Sequence, residues 1–224
     1  MSLLLCCLIG LSVQIAFILT ERKENYGLAV LLKGTASLIF IGIGLFCSDA
    51  SVNMAFAKWI VAGLILGGIG DVCLNLRFVL KSAGQKVFMG GIAAFLLGHL
   101  AYLAALLPPA GKTLFFSIPL GLLAAFLLLK WILAKVSVGK AFKIFGIIYI
   151  GAVVLMTAVA IGLFLSAPVT AHAMFACGAV LFTLSDVILV FHLFTADKKP
   201  WMRPTNLTLY YLGQLLIACS LLFF

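Results

Sequence analysis

The feature that most constrains this chain is the length of its uncharged apolar runs. Residues 1–20, 87–111 and 144–185 contain no Asp, Glu, Lys or Arg, and the last of these runs is 42 residues long. Of the 224 residues, 65% are hydrophobic and 9% are charged, whereas soluble domains are about 45–50% apolar and about 25% charged. A helix of about 20 apolar residues is long enough to cross a bilayer. The composition therefore excludes a soluble or disordered chain and predicts a polytopic membrane protein.

The apolar runs and the short polar breaks between them predict an all-α bundle of eight transmembrane helices. The expected spans are residues 2–20, 27–47, 56–76, 87–107, 113–133, 144–165, 169–194 and 206–224. Two of the connections, residues 108–112 and 166–168, are turns by their content of proline and small residues. Because every connection is short, we expect a single transmembrane domain whose functional site lies inside the bundle.

Basic residues are concentrated on one side of the predicted bundle. Twelve of the 15 lie in or next to the odd-numbered loops, and only Lys58 and Lys112 lie at the opposite side. The positive-inside rule places the odd-numbered loops in the cytoplasm and both termini on the opposite side. We therefore predict non-cytoplasmic termini. We expect a bacterial inner-membrane protein, and an intracellular eukaryotic membrane is the alternative that the short loops also fit. The net charge of +9 reflects this orientation, and nucleic-acid binding is not expected because no basic domain is present.

Two pairs of helices show the same internal spacing. Asp71 and Asp186 each follow a glycine by eight positions, and they lie 115 residues apart. His99 and Gln214, each within the pattern Leu-Gly-x-Leu, are also 115 residues apart. This shared offset predicts a duplicated four-helix unit, and an even number of helices per unit makes the repeats parallel. The two repeat units would be residues 1–110 and 111–224. Chance similarity between leucine- and glycine-rich helices is the alternative.

Two aspartates are the residues of this chain that are hardest to explain by packing. Of the six acidic residues, only Asp71 and Asp186 lie within apolar spans. A carboxylate at the centre of a span costs about 2.5–3.5 kcal/mol on insertion scales, and such groups usually face the bundle interior and mark a functional site. Other polar residues lie within the spans: Lys33, Asn75, His99, Tyr102, Ser185, Asn206, Tyr210, Tyr211 and Gln214.

Polar residues from five spans converge on one layer of the membrane. Lys33 and Asp71 lie roughly 9 Å from the cytoplasmic ends of their helices, Asp186 and Gln214 roughly 12 Å, and His99 roughly 18 Å. We interpret this layer as one buried cavity in the inner half of the membrane. Two of these side chains also fit a role outside such a cavity. Lys33 could extend to the cytoplasmic interface, and His99 could serve only as a hydrogen-bond partner between helices.

At these residues the chain resembles the YhhN-type lysoplasmalogenases, which are eight-helix membrane hydrolases. The matching segments are Gly70-Asp71, Phe88–Tyr102 (F-x-x-G-x-x-A-F-x-x-G-H-x-x-Y), Gly178–Asp186 (G-A-x-x-F-x-x-S-D) and Tyr210–Ile217 (Y-Y-x-x-Q-x-x-I). The likeness in length, order and motifs extends over nearly the whole chain. One position differs, because Gly34 follows Lys33 here, where the family pattern has a proline shortly after the lysine.

The resemblance implies hydrolysis of the vinyl ether bond of a lysoplasmalogen, which yields a fatty aldehyde and glycerophosphoethanolamine or glycerophosphocholine. This chemistry needs an acid that protonates the β-carbon, a base for water and negative charge near the oxocarbenium ion. Two carboxyl groups that differ in pKa can divide these roles. We expect Asp71 and Asp186 to form the acid/base pair, and the sequence leaves open which of them is the acid.

The other polar residues of the layer are the candidates for substrate binding: Lys33, Asn75, His99, Tyr102, Ser185, Tyr210, Tyr211 and Gln214. Among them, His99 and Tyr102 would orient water or substrate, and Lys33 would contact the phosphate. We expect no cofactor and no metal. The expected partner is the lysophospholipid in the bilayer, without an obligate protein partner.

Two other functions fit the same residues. Asp71, His99 and Asp186 could ligate zinc in a metal-dependent lipid hydrolase, although the sequence has no histidine-rich motif. A membrane transporter would also contain repeats, intramembrane acids and a central lysine, but broken helices should then occur at matching positions of the repeats. Chelator sensitivity tests the first alternative, and flux into proteoliposomes without product formation tests the second.

Overall fold

The chain forms eight α-helices and no strand within residues 2–224, which are the residues that the computed structural model describes, with the backbone alone at Ala141. The helices are α1 (Leu3–Arg22), α2 (Tyr26–Ser48), α3 (Met54–Leu76), α4 (Gly84–Ala110), α5 (Leu114–Leu133), α6 (Lys140–Ser166), α7 (Thr170–Phe194) and α8 (Met202–Ser220). Short 3₁₀ turns follow α4 and α8, at Gly111–Thr113 and Leu221–Phe223. The predicted all-α class is confirmed. Met1, with which the first predicted repeat unit begins, lies outside the described residues.

Seven segments of the described chain are long and apolar enough to cross a membrane. One of them, Gly84–Leu133, is 50 residues long and contains both α4 and α5. As one straight helix it would extend about 75 Å, more than twice the roughly 30 Å of a bilayer core. Length and composition therefore support a multi-pass membrane protein with seven spanning segments, and an eight-fold crossing stays a prediction.

The end of α4 differs from the sequence expectation. A turn is predicted over residues 108–112, but α4 continues through Pro108 and Pro109 to Ala110. Proline removes one backbone donor and weakens a helix, whereas glycine ends it by adopting a positive φ that other residues rarely adopt. The break lies at Gly111, where φ is 49°. Because α6 runs parallel to α4 and antiparallel to α5, the chain reverses its direction at this glycine.

Two helix pairs pack closely through glycines. A Cβ added to Gly98 of α4 would lie 3.2 Å from the carbonyl oxygen of Gly63 in α3. A Cβ added to Gly213 of α8 would lie 2.8 Å from the carbonyl oxygen of Gly178 in α7. Small residues at such crossings are the usual contact between membrane helices. These glycines show the 115-residue offset of the aspartates, but a duplicated origin of the two units stays a prediction.

The helices differ in how much of their surface is covered. α5 packs chiefly against α6, and α1 packs against α2 and α8, so both lie at the edge of the bundle. The remaining six helices contribute buried polar side chains to an interior layer. Large apolar side chains such as Phe115 and Phe116 are exposed on the outer surface, as expected of a surface that faces lipid. The functional residues must therefore be sought in the interior layer.

Candidate active site

Asp71 is buried on α3 and its carboxylate is contacted by three side chains. Nζ of Lys33 lies 3.2 Å from Oδ1, and the hydroxyls of Ser37 and Tyr210 donate to Oδ2 at 2.6 Å and 2.9 Å. Lys33 and Ser37 share one face of α2 because they are four residues apart. Lys33 is 1% exposed, which places it in the site and not at the interface. One cation and two O–H donors thus compensate the charge of Asp71.

A chain of hydrogen bonds continues from Asp71 to α4. The Tyr210 hydroxyl, which donates to Asp71, accepts from Nε2 of Gln214 at 3.2 Å. Oε1 of Gln214 in turn accepts from the hydroxyl of Tyr102 at 2.7 Å. Tyr210 and Gln214 lie on one face of α8, four residues apart. Gln214 and Tyr102 therefore orient the tyrosine hydroxyl that bonds to the carboxylate.

Asp186 on α7 has a different set of partners. The hydroxyl of Tyr149 donates to Oδ2 at 2.9 Å. Nε2 of His99 lies 3.3 Å from that hydroxyl and 3.7 Å from Oδ2 of Asp186. Within residues 2–224, no Lys or Arg lies within ion-pair distance of Asp186. The charge of Asp186 is thus less compensated than that of Asp71.

The sequence offset explains why the two carboxylates differ. Asp71 has Lys33 of α2 beside it. The residue 115 positions after Lys33 is Ile148 of α6, which has no charge. The following residue, Tyr149, supplies a neutral hydroxyl donor in place of an ammonium group. Two aspartates at corresponding positions therefore lie in unequal electrostatic surroundings. Unequal surroundings are what an acid/base pair requires, since one group must hold a proton while the other accepts one.

Both carboxylates line one small buried cavity. Its volume of about 30 Å³ is enough for one or two water molecules, given that a water needs roughly 10–15 Å³. Its polar and charged lining consists of Lys33, Asp71, Asn75, Tyr149, Ser185, Asp186, Arg203, Asn206 and Tyr210. A water in this cavity has carboxylate, hydroxyl and amide groups around it, so the arrangement is suited to water activation.

Two amide side chains hold the backbone beside the carboxylates. Nδ2 of Asn75 donates to the carbonyl oxygen of Asp71 at 3.0 Å, and within the described chain the buried Oδ1 of Asn75 has no hydrogen-bond partner. Nδ2 of Asn206 donates to the carbonyl oxygen and the hydroxyl of Ser185, at 2.9 Å and 2.8 Å. The free Oδ1 of Asn75 can accept a hydrogen bond from water or from a substrate hydroxyl.

Arg203, in the first turn of α8, also lines the cavity. Its guanidinium forms a fork with Glu21 of α1, in which Nε donates to Oε2 at 3.0 Å and Nη2 donates to Oε1. These contacts use two of the five N–H donors of an arginine. Arg203 precedes Tyr210 by seven residues, which is about 10 Å along the helix. A cation therefore lies within a short distance of the carboxylates.

The structure brings together most of the predicted site residues. Those that line the cavity are Lys33, Asp71, Asn75, Ser185, Asp186 and Tyr210. His99 and Gln214 lie behind the lining and bond to two groups that form it, the hydroxyls of Tyr149 and Tyr210. Tyr102 lies further back, and its hydroxyl donates to Gln214. Tyr211 is outside the lining, and its hydroxyl donates to the carbonyl oxygen of Ala36 at 3.1 Å.

Four polar residues that line the cavity or contact a carboxylate are absent from the predicted site: Ser37, Tyr149, Arg203 and Asn206. Asn206 enters the sequence argument only as a polar residue within a span. Ser37 has a recognisable signal, because it follows Lys33 by one helical turn. Tyr149 is the single tyrosine of the 42-residue uncharged run, and a hydroxyl at that depth has to find a partner. Arg203 enters the sequence argument only as an orientation charge, because its position in the first turn of a helix that lines the cavity depends on the fold.

The fold and the site define a class, a multi-pass α-helical membrane protein with two unequal carboxylates around a buried, water-sized cavity. The model of the YhhN family matches residues 28–221, and the chain belongs to this family. Searches of curated proteins and of solved structures give no match. In the described part of the chain, no three His, Cys, Asp or Glu side chains come together in a group that could hold a metal ion.

Proposed function

We propose that this protein is a lysoplasmalogenase, which hydrolyses the vinyl ether bond of a lysoplasmalogen to a fatty aldehyde and a glycerophospho-headgroup. The observation that carries the proposal is the pair Asp71 and Asp186 on one cavity, where, among the described residues, Lys33 forms an ion pair with Asp71 and no Lys or Arg does so with Asp186. Membership of the YhhN family supports an enzyme of this kind. The placement of the pair within apolar helices suits a substrate that resides in the bilayer.

The unequal surroundings suggest how the two carboxyl groups divide the reaction. Asp186, which lacks a cationic partner in the described structure, donates a proton to the β-carbon of the vinyl ether. The resulting oxocarbenium ion is stabilised by the carboxylate of Asp71, which also takes a proton from the attacking water. The hemiacetal then collapses. Asp71 returns its proton to the glycerol oxygen as the carbon–oxygen bond breaks, and Asp186 recovers a proton from the hemiacetal hydroxyl.

Arg203 is the group best placed to bind the phosphate. Its planar guanidinium matches a phosphate bidentately, and three of its donors remain after the fork to Glu21. Arg203 and Tyr210 are roughly 10 Å apart along α8, and the cavity of about 30 Å³ between them has to widen to admit a phosphate and a glycerol unit. Lys33, which the sequence suggests for this role, has its ammonium group beside Asp71 instead. In this proposal Lys33 compensates the carboxylate and Arg203 holds the headgroup.

The membrane placement belongs to the same proposal. The reversal at Gly111 divides the segment Gly84–Leu133 into two crossings, which gives eight crossings in all. The excess of basic residues in odd-numbered loops puts those loops in the cytoplasm of a bacterial cell. The headgroup of the substrate would then enter from the cytoplasmic leaflet, on the side where Arg203 lies. Cysteine accessibility at both termini tests this orientation.

The deciding experiment measures aldehyde release by the purified protein from an alkenyl lysophospholipid. The saturated ether analogue is the substrate control, because it has no double bond to protonate. We expect Asp71→Asn and Asp186→Asn each to lower the rate by at least about 100-fold, while the exposed loop variant Asp197→Asn keeps the wild-type rate. Full activity of either cavity variant in folded protein contradicts the mechanism. Lipid flux into proteoliposomes without aldehyde would instead favour the transporter.

A further inference from the structure

An apolar cleft leads away from Asp186 between α4, α6 and α7. Its volume is about 70 Å³, and it shares five residues with the polar cavity: Leu74, Phe95, Tyr149, Asp186 and Leu189. Apart from the Asp186 carboxyl group and the Tyr149 hydroxyl, the cleft is lined by apolar side chains and one glycine, Gly146. A cleft of this composition, which begins at a reactive carboxyl group, is suited to a hydrocarbon chain attached to the reacting atoms.

Aromatic side chains form the far end of the cleft. The ring centroid of Phe142 lies 6.1 Å from that of Phe88 and 6.0 Å from that of Phe194. From Asp186 to Phe194 the cleft follows α7 for about 12 Å. Beyond the buried Asp186, the α7 residues on its wall are only partly buried, so this stretch of the cleft is accessible from outside the bundle: Leu189, Val190, Leu193 and Phe194. A chain from the bilayer can therefore reach Asp186 without crossing the polar cavity.

Gly146 of α6 lines the cleft and has open space beside it. A Cβ added at this position would meet no heavy atom within 4 Å. The same holds for Gly151, five residues further along α6, which is not part of the cleft lining. A side chain can thus be added at either position without a clash at its Cβ, but only the one at Gly146 would occupy the cleft. The chain offers a blocking variant together with its matched control.

We propose that this cleft binds the part of the alkenyl chain that adjoins the vinyl ether, and thereby sets the β-carbon beside Asp186. This inference rests on the proposed function and names the binding site for the chain. Because the alkenyl chain moves from the hydrocarbon of the bilayer into an equally apolar cleft, its transfer contributes little binding free energy. The contribution of the cleft is orientation, which makes proton transfer to one particular carbon effectively intramolecular. The remainder of a long chain stays in the bilayer.

The test compares two substrates on Gly146→Leu, Gly151→Leu and wild type. One substrate is a long-chain lysoplasmalogen, and the other is its 1-propenyl counterpart, whose short chain needs little of the cleft. We expect Gly146→Leu to hydrolyse the long-chain substrate at least about tenfold more slowly than wild type, and the short-chain substrate less than about twofold more slowly. Poor orientation of the vinyl ether toward Asp186 is enough to cause a difference of this size. Gly151→Leu should match wild type on both. Ile92→Phe, which narrows the cleft from α4, is the second blocking variant if Gly146→Leu does not fold.

Wild-type rates of a folded blocking variant on the long chain overturn the proposal, and so does an equal loss on both substrates. A saturated ether lysophospholipid with a diazirine on the chain carbons next to the ether gives a readout independent of catalysis. It should label α6 and α7 peptides of the wild-type cleft, and Gly146→Leu should abolish the label. Labelling without aldehyde release from any substrate would refute the proposed function and leave the chain site standing. Absence of the label in wild type refutes the chain site.

Discussion

Removal of the Lys33 ammonium group should destabilise the protein through the charge that remains on Asp71. The two groups are 3.2 Å apart and nearly inaccessible, and loss of one partner of a buried ion pair costs about 3–5 kcal/mol. Because Ser37 and Tyr210 continue to donate to Asp71, we expect the lower end of this range for Lys33→Met. A loss of about 3 kcal/mol in a chain of this length lowers Tm by about 6–12 °C.

The double variant separates the charge from the packing. Lys33→Met with Asp71→Asn removes both charges, so its Tm should return to within about 3 °C of wild type although it stays inactive. The measurement is thermal unfolding in detergent followed by tryptophan fluorescence, with exposed Lys58→Met as the control for loss of a lysine. A Lys33→Met variant as stable as wild type would refute the reasoning, and so would a double variant no more stable than the single one.

Three further predictions follow from individual contacts. Tyr149→Phe removes the hydroxyl donor of Asp186 and should lower the rate of aldehyde release by about 10- to 100-fold. Because a buried acceptor that loses its donor costs about 1–3 kcal/mol, Tm should also fall by about 2–12 °C. Gly213→Ala forces a methyl group against a backbone carbonyl and should cost about 1–3 kcal/mol in unfolding measurements, whereas Gly151→Ala should cost nothing detectable. Dialysis against EDTA should leave the rate unchanged, because no three-ligand cluster occurs in the described chain, and a loss that zinc restores would favour the metal-dependent hydrolase.

The sequence predicts the polar layer well because the cost of burying polar groups in hydrocarbon is large. An aspartate or lysine inside an apolar helix must face the bundle interior, and helix geometry gives its depth from position alone. Asp71 and Asp186 could be assigned to one site on these grounds, whereas the sequence leaves Lys33 between the site and the cytoplasmic interface, and only its burial decides for the site. Residues of moderate polarity carry a smaller penalty, so the signals of Ser37 and Tyr149 are weaker: the spacing of Ser37 from Lys33, and the single tyrosine in a 42-residue uncharged run.

The partners of each group depend on packing, which the sequence does not specify. His99 and Tyr102 share a face of α4, yet His99 lies beside Asp186 while the Tyr102 hydroxyl donates to Gln214. Tyr211 adjoins a residue of the site in sequence, but the helical rotation of about 100° per residue turns it toward the backbone of α2. The difference between the two carboxylates likewise appears only when α2 and α6 are seen beside them.

The end of α4 shows a second limit of sequence analysis. Composition marks residues 108–112 as a turn, because it counts both prolines as breakers. The helix nevertheless persists to Ala110, and the backbone changes direction only at Gly111, where φ is positive. The prolines weaken the last turn without ending it, so the boundary shifts by three residues from the predicted end at 107.

The most direct test of the central claim is hydrolysis of a lysoplasmalogen in D₂O with mass analysis of the aldehyde. Proton transfer to the β-carbon places one solvent deuterium on the carbon next to the carbonyl, and unlabelled aldehyde incubated in D₂O corrects for exchange. The account predicts one deuterium per aldehyde from wild-type protein and no enzymatic aldehyde from Asp186→Asn. An enzymatic aldehyde without deuterium, or equal cleavage of the saturated ether, would contradict it.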